Sequence, residues 1–354
     1  MLEGLKVVEL ATVLAGPHVG MFFAELGAEV LKVEHPEHPD VTRSWKLPTE
    51  RPDSSVSAYF SSVNYHKTYI RLNLSKEEDR YEALNLIKEA DIVLMNFKKG
   101  DQEKFNLTDK TLLQFNPGLL IGKISGFGEE SDRVAYDLIL QAETGYMSMN
   151  GTPESGPVKM PVAFIDVLAA HHLKEGLLVA LLNRQRTGKG GVVHVSLYDA
   201  AISSLVNQAS NYLMNKHIPQ RIGSLHPNIA PYGELFKTKD DKEVTFAIGS
   251  QIHFEKLVTV LEAKELLKDK RFINNQVRVD HRFELAELIQ QKVILWQAET
   301  LNNELRKVFV PCAIIKNLRE VFREEGAQKL IREEKIEGRL TKRVTGIAFT
   351  YGSY

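Results

Sequence analysis

Residues 6–34, KVVELATVLAGPHVGMFFAELGAEVLKVE, decide the fold. The β-branched run at 6–10 reads as a short strand, and a turn of small residues follows it. Pro17 then suits the first turn of a helix, where the missing N–H has no partner to lose. Gly27 stops that helix, and residues 29–34 (EVLKVE) return as a second strand. Strand, helix and strand in immediate succession predict a β-α-β unit, and such a unit implies a parallel sheet.

The alternation continues outward from there. KTYIRLNL (67–74) reads as a strand, residues 76–90 as an amphipathic helix opened by Ser75, and DIVLMNF (91–97) as the next strand. GLLIGKISGF (118–127) follows Asn116 and Pro117 as another. From Asp166 to Arg184 the residues Leu168, Leu173, Leu177, Leu178 and Leu181 recur at helical spacing. The turn RTGKGG (186–191) leads into the strand VVHVSL (192–197), and a further helix covers 198–216.

At 354 residues the chain exceeds the size at which one hydrophobic core remains favourable, so two domains are expected. Residues 217–233 are rich in Pro, Gly and Asn, which places a linker at 218–233 between a large domain (1–217) and a smaller α/β domain (234–320). The second contains a strand at KEVTFAIG (242–249), a helix near 254–261, one long helix over 283–308 and a closing strand at VPCAIIK (310–316). Residues 338–354 read as a strand and tail.

Composition excludes several classes. Lys and Arg total 45 against 46 for Asp and Glu, so no overall electrostatic footprint for nucleic acid or an anionic membrane exists. No run approaches the roughly 18 apolar residues of a membrane span, and a soluble, unprocessed, cytoplasmic protein is the expectation. Cys312 is the single cysteine, which rules out an intramolecular disulfide and a Cys-based zinc site.

Individual motifs remain ambiguous. The first turn offers Gly16 alone where a dinucleotide-binding loop needs G-x-G-x-x-G, although Glu34 sits where a ribose-binding acid would be. RTGKGG lacks the earlier Gly and the following Ser or Thr of a phosphate-binding loop. His171 and His172 are adjacent, so they point to different faces of a helix, and no metal is expected. Asp166, in MPVAFIDVLAAHHLKEG (160–176), follows an apolar run and precedes an apolar helix. Spacing alone reads it as a helix cap. Its neighbours Phe164, Ile165, Val167 and Leu168 would also desolvate it, which strengthens a carboxylate as a nucleophile.

In order along the chain, the blocks at 7–36, NYHKTYIRLNL, DIVLMNFKKG, ISGFGEE, AYDLILQAETGYM, the Asp166 block, RTGKGGVVHVSLYDA, PYGELF and VPCAII resemble the family III CoA-transferases. That group includes formyl-CoA and carnitine CoA-transferases and is related to the α-methylacyl-CoA racemases. The resemblance implies a Rossmann-like large domain, a smaller domain, a return of residues 321–354 to the large domain, and two chains interlocked as a homodimer. It implies acyl-CoA and small carboxylic acids as substrates, without ATP or metal. Asp166 falls on the family's catalytic aspartate, which forms a mixed anhydride and then an aspartyl-CoA thioester. Val13, Leu14, Ala15, His35, Lys67, Asn96, Phe97, Lys104, Tyr136 and Asp137 carry over to the CoA site.

Some positions depart from the family pattern. Leu14 stands where formyl-CoA transferase has a glutamine, His35 where an arginine is common, and Thr68 where Lys-Arg is usual. Two rivals stay open at this level. A racemase would need a His in the position that Tyr136 holds, and a tyrosine with its ordinary pKa near 10 exchanges protons poorly. A CoA-binding protein without chemistry would also retain Asp166 as a cap.

Overall fold

The computed structural model of the chain describes residues 1–352. The chain divides into two compact units. One comprises Met1–Ser148, Lys159–Pro219 and the segment from Lys329 onward; the other comprises Met149–Val158 and Gln220–Gln328.

The first unit is built on six parallel strands: β1 (Lys6–Glu9), β2 (Glu29–Glu34), β3 (Thr68–Arg71), β4 (Ile92–Met95), β5 (Leu120–Ser125) and β6 (Gly191–Ser196). Their order across the sheet is β3-β2-β1-β4-β5-β6. Residues alternate between faces, as strand geometry requires. Val7, Ile92 and Leu94 join one core with Phe22, Phe23, Leu173 and Leu177, whereas Val8, Val93 and Met95 join another with Ala83 and Ile87. The first core is closed by α1 (Ala15–Glu25) and α4 (Phe164–Thr187), the second by α2 (Glu77–Lys88). With helices on both faces, every residue of β4 is buried, which explains its unbroken apolar sequence. Further helices α3 (Asp137–Glu143) and α5 (Leu197–Ser203) flank the end of β5 and follow β6.

This strand order reverses direction between β1 and β4. Doubly wound sheets bind ligands in the crevice that such a reversal opens beyond the carboxyl ends of the strands. The turn after β1 and the residues after β4 therefore face a ready-made cleft.

The second unit has an antiparallel sheet of β7 (Tyr232–Lys237), β8 (Glu243–Ala247) and β9 (Cys312–Ile314), with β8 in the middle. Helices α6 (Gln251–Val260), α7 (Arg282–Val293) and α8 (Ala298–Lys307) pack on it through Phe254, Leu257, Ile289 and Leu301. The stretch read as one helix over 283–308 is thus two. Asp240 accepts the Ala298 N–H at 2.9 Å, and the Lys239 N–H donates to the Trp296 carbonyl at 2.8 Å, so the 238–241 turn captures backbone groups that a continuous helix would need. Within the first unit, the helix expected over 198–216 breaks at residues 204–205 into α5 and Val206–Asn215, where Val206 takes a positive φ of 37°.

Smaller differences concern ends. Lys76, not Ser75, occupies the N-cap of α2 and makes no side-chain cap; the acidic run Glu77, Glu78 and Asp79 supports that terminus instead. The final strand pairs as a hairpin, β10 (Ile331–Ile336) with β11 (Arg339–Val344), and the end of the expected tail, Ser353 and Tyr354, lies outside the described residues.

Candidate active site

A cleft of about 800 Å³ opens in the first unit where the strand order reverses. Thr12, Val13, Leu14 and Ala15 line it after β1, Asn96 and Phe97 after β4, Ser125 and Gly126 at the end of β5, with Tyr136 and Asp166 completing the wall.

Asp166 stands in the first turn of α4, where the residue at the cap position is Ala163, which offers no capping side chain of its own. Asp137 does that work instead. Its Oδ1 accepts the Ile165 N–H at 2.7 Å, and its Oδ2 accepts from Gln141 Nε2 at 2.6 Å. Gln141 Oε1 in turn accepts the Met160 N–H at 2.8 Å, which fixes the approach to α4. The cap that spacing assigned to Asp166 is therefore supplied by a residue of α3. The Asp166 carboxylate makes no hydrogen bond or ion pair with the described residues, although it is half-buried.

Burial first, and the neighbouring negative charge of Asp137 second, push the Asp166 carboxyl up to about 7. A carboxylate without donors is the more basic one, because nothing stabilises its charged form. Tyr59 feels both acids, and burial followed by the charges of Asp166, Asp137 and Asp40 holds its hydroxyl up at about 12. It stays protonated near neutrality.

The turn at Thr12 and Val13 is held from two directions. Asn96 Oδ1 accepts the Thr12 N–H at 3.1 Å, and Asn96 Nδ2 donates to the Thr12 carbonyl at 2.9 Å. Beneath the turn lies a buried quartet of charges. Lys32 Nζ donates to Glu9 at 2.9 Å and to the Ala11 carbonyl at 2.7 Å, and it lies 3.2 Å from Asp40. Lys67 Nζ reaches Glu9 at 2.7 Å and also donates to the carbonyls of Pro17 and Val63 and to Asn64 Oδ1. Although burial alone would push Glu9 up, Lys32 and then Lys67 hold it below the ordinary carboxylate range.

Of the residues assigned to the CoA site, Val13, Leu14, Ala15, Asn96, Phe97 and Tyr136 come together on the cleft wall with Asp166. Four others lie off it. Lys67 is taken up by Glu9 and three further oxygens, so its charge braces β1 against α1. His35 Nδ1 accepts the N–H groups of Glu37 and His38, which organises its own turn. Lys104 is exposed, with its ammonium 5.1 Å from the Phe105 ring, and Asp137 acts through Ile165. Glu34 is buried against Arg43, whose Nη2 lies 2.7 Å from Oε2, and so is closed to any ribose.

The sequence reading passed over two lysines. Among the described residues lining the cleft, Lys98 and Lys110 are exposed and have no ion pair, whereas Lys99 pairs with Glu130, Lys123 with Asp109 and Glu129, and Arg133 with Glu143. Lys98 follows Asn96 and Phe97 directly in NFKKG, at the carboxyl end of β4, and that adjacency was the available signal.

Residues 2–350 match CoA-transferase family III. The chain belongs to that family. It is 34% identical over 333 residues to a succinate–glutarate CoA-transferase of Agrobacterium fabrum, an alignment that covers 92% of this chain and 83% of the relative. A succinyl-CoA:mesaconate CoA-transferase of Haloarcula marismortui is 32% identical, with 91% and 82% covered. Among solved structures, a CAIB/BAIF family protein from Brucella suis superposes with a TM-score of 0.86 at 37% identity, covering 99% of this chain and 92% of that one. As a family III CoA-transferase, the chain moves CoA from an acyl-CoA to a carboxylic acid.

Proposed function

We propose that CoA passes through Asp166, and that both acids are short dicarboxylates. The observation that carries the first part is the Asp166 carboxylate itself, which lies on the cleft wall without a hydrogen bond to the described residues while Asp137 caps its helix. A cap would be hydrogen-bonded to backbone; a nucleophile must be free to reach a carbonyl carbon.

The chemistry then proceeds in four bond exchanges. Asp166 attacks the thioester carbonyl, the C–S bond breaks, and CoA leaves as thiolate from a mixed anhydride. The thiolate attacks the Asp166 carbonyl, giving an aspartyl-CoA thioester and releasing the first acid. An acceptor carboxylate attacks that thioester to form a second anhydride and free the thiolate again. Attack of the thiolate on the acceptor's acyl carbon yields the new acyl-CoA and restores Asp166. Energy of the thioester stays in enzyme-bound acyl groups throughout, so neither ATP nor a metal is consumed, and water must be kept from the anhydrides.

Val13, Leu14, Ala15, Asn96, Phe97 and Tyr136 would hold the acyl-CoA against Asp166, with Lys98 and Lys110 meeting its phosphates as unpaired cations. The dicarboxylate class rests on those relatives that are named for succinyl-CoA with glutarate or mesaconate. A homodimer fits the apolar residues that the helix Val206–Asn215 exposes, Val206, Leu213 and Met214 among them.

Incubation with succinyl-CoA followed by hydroxylamine should convert Asp166 alone to a hydroxamate, located by peptide mass spectrometry. An unmodified Asp166 in protein that still exchanges CoA between acids refutes the route. Deuterium from solvent at the α-carbon of a branched acyl-CoA would mark racemase chemistry instead.

A further inference from the structure

Val13 is a β-branched residue at φ +73°, in the left-handed region that such side chains avoid. Strain of this kind persists only where the surroundings over-determine it, and it gathers at ligand sites. Here the surroundings are specific. Both oxygens of Asp40 accept the Val13 N–H, at 3.1 and 3.3 Å, and Asp40 is itself buried and fixed. Its Oδ1 also accepts from the Thr42 N–H and hydroxyl, its Oδ2 faces Lys32, and its own N–H donates to Glu34. Glu34 is in turn clamped by Arg43.

Asp40 is not on the cleft wall, but Val13 is. Its carboxylate therefore draws the Val13 N–H inward, while Asn96 occupies the backbone N–H and carbonyl of Thr12. Val13, Leu14 and Ala15 of this turn line the cleft beside Thr12.

We propose that Asp40 is a positioning residue for CoA transfer, which holds Val13 in its left-handed conformation and so fixes the shape of the turn that lines the cleft together with Asp166. The proposal rests on the reading of this cleft as the acyl-CoA site. A simple bracing role for Asp40 and the positioning role separate in one double-mutant cycle, because glycine adopts positive φ without strain.

Asp40→Ala should lower kcat/KM for the acyl-CoA by about ten- to hundredfold, mainly through KM. Adding Val13→Gly to Asp40→Ala should recover at least about threefold, since the turn then needs no carboxylate to hold it. Melting temperatures of each variant show whether lost stability explains the change. If the excess positive charge that Asp40→Ala leaves in the buried quartet keeps the chain from folding, Lys32→Met with Asp40→Ala removes both charges together and the same comparison is made on that pair. No recovery on adding Val13→Gly in a folded protein overturns the proposal, as does wild-type kcat/KM for Asp40→Ala. Asp166→Ala is run alongside: exchange activity in that variant would sink the Asp166 route, and it leaves the Asp40 and Val13 comparison readable.

Discussion

Replacing Asp137 with Asn should move the acid limb of the pH–rate profile to lower pH. Only the ionised form of Asp166 can attack a thioester, and burial followed by the Asp137 charge raises its pKa to about 7. In the wild type kcat/KM should accordingly climb about tenfold between pH 6 and pH 8 and level off above that. The Asn side chain keeps an oxygen for the Ile165 N–H and loses the negative charge, while its amide nitrogen meets Gln141 Nε2 donor to donor, so the Gln141 bond is given up. Because burial is the larger cause, removing the charge should lower the pKa by only about half a unit to one unit, which raises kcat/KM at pH 6 by about three- to fivefold. Above pH 8 the sign reverses, since a less basic carboxylate is a weaker nucleophile and the plateau falls modestly. Stopped-flow acylation with excess succinyl-CoA, measured from pH 5 to 9, records both effects. A wild-type limb near pH 4, or a limb that Asp137→Asn leaves in place, refutes the reasoning.

Asp166→Asn should abolish exchange and stabilise the fold at alkaline pH. With the folded pKa above the ordinary 3.8, the native chain binds the proton more tightly, so stability is full below about pH 4 and declines as pH rises through 7. The variant should melt about 2–4 °C above wild type at pH 8 and level with it at pH 4, by differential scanning calorimetry. Gly20→Ala should cost about 3–5 kcal/mol in urea denaturation, because a Cβ there would overlap Glu9 Oε2 and sit 3.3 Å from Lys67 Nζ and would break the buried quartet. Lys98→Ala and Lys110→Ala should each raise KM for the acyl-CoA by about three- to tenfold with kcat little changed, an effect that added salt shrinks. Cys312, pushed up to about 12 by burial, should stay silent to a thiol-specific disulfide reagent at pH 8 until the chain is denatured.

How much of this was legible in the sequence follows from the range of each interaction. The β-α-β unit at 6–34 could be read because strand runs, Pro17 and Gly27 are local signals, and the alternation beyond it gave the parallel sheet. The helix over 283–308 was misread for the opposite reason: its break is made by Asp240, whose carboxylate arrives from 58 residues away in sequence. The same logic governs the site. Asp166 looked like a cap because a cap is the local explanation of an acid at a helix start. Asp137 takes that part from a separate helix, and no spacing rule connects 137 with 165. Lys67 looked like a free cation because its partner, Glu9, is itself an unlikely core residue until Gly20 gives it room. Asp166, Lys67 and the 283–308 helix were misread because each involves a polar group whose partner is distant in sequence. The consequence for the proposed route is direct: Asp166 need not cap its helix, because another acid, unseen from the local pattern, has taken over that structural duty.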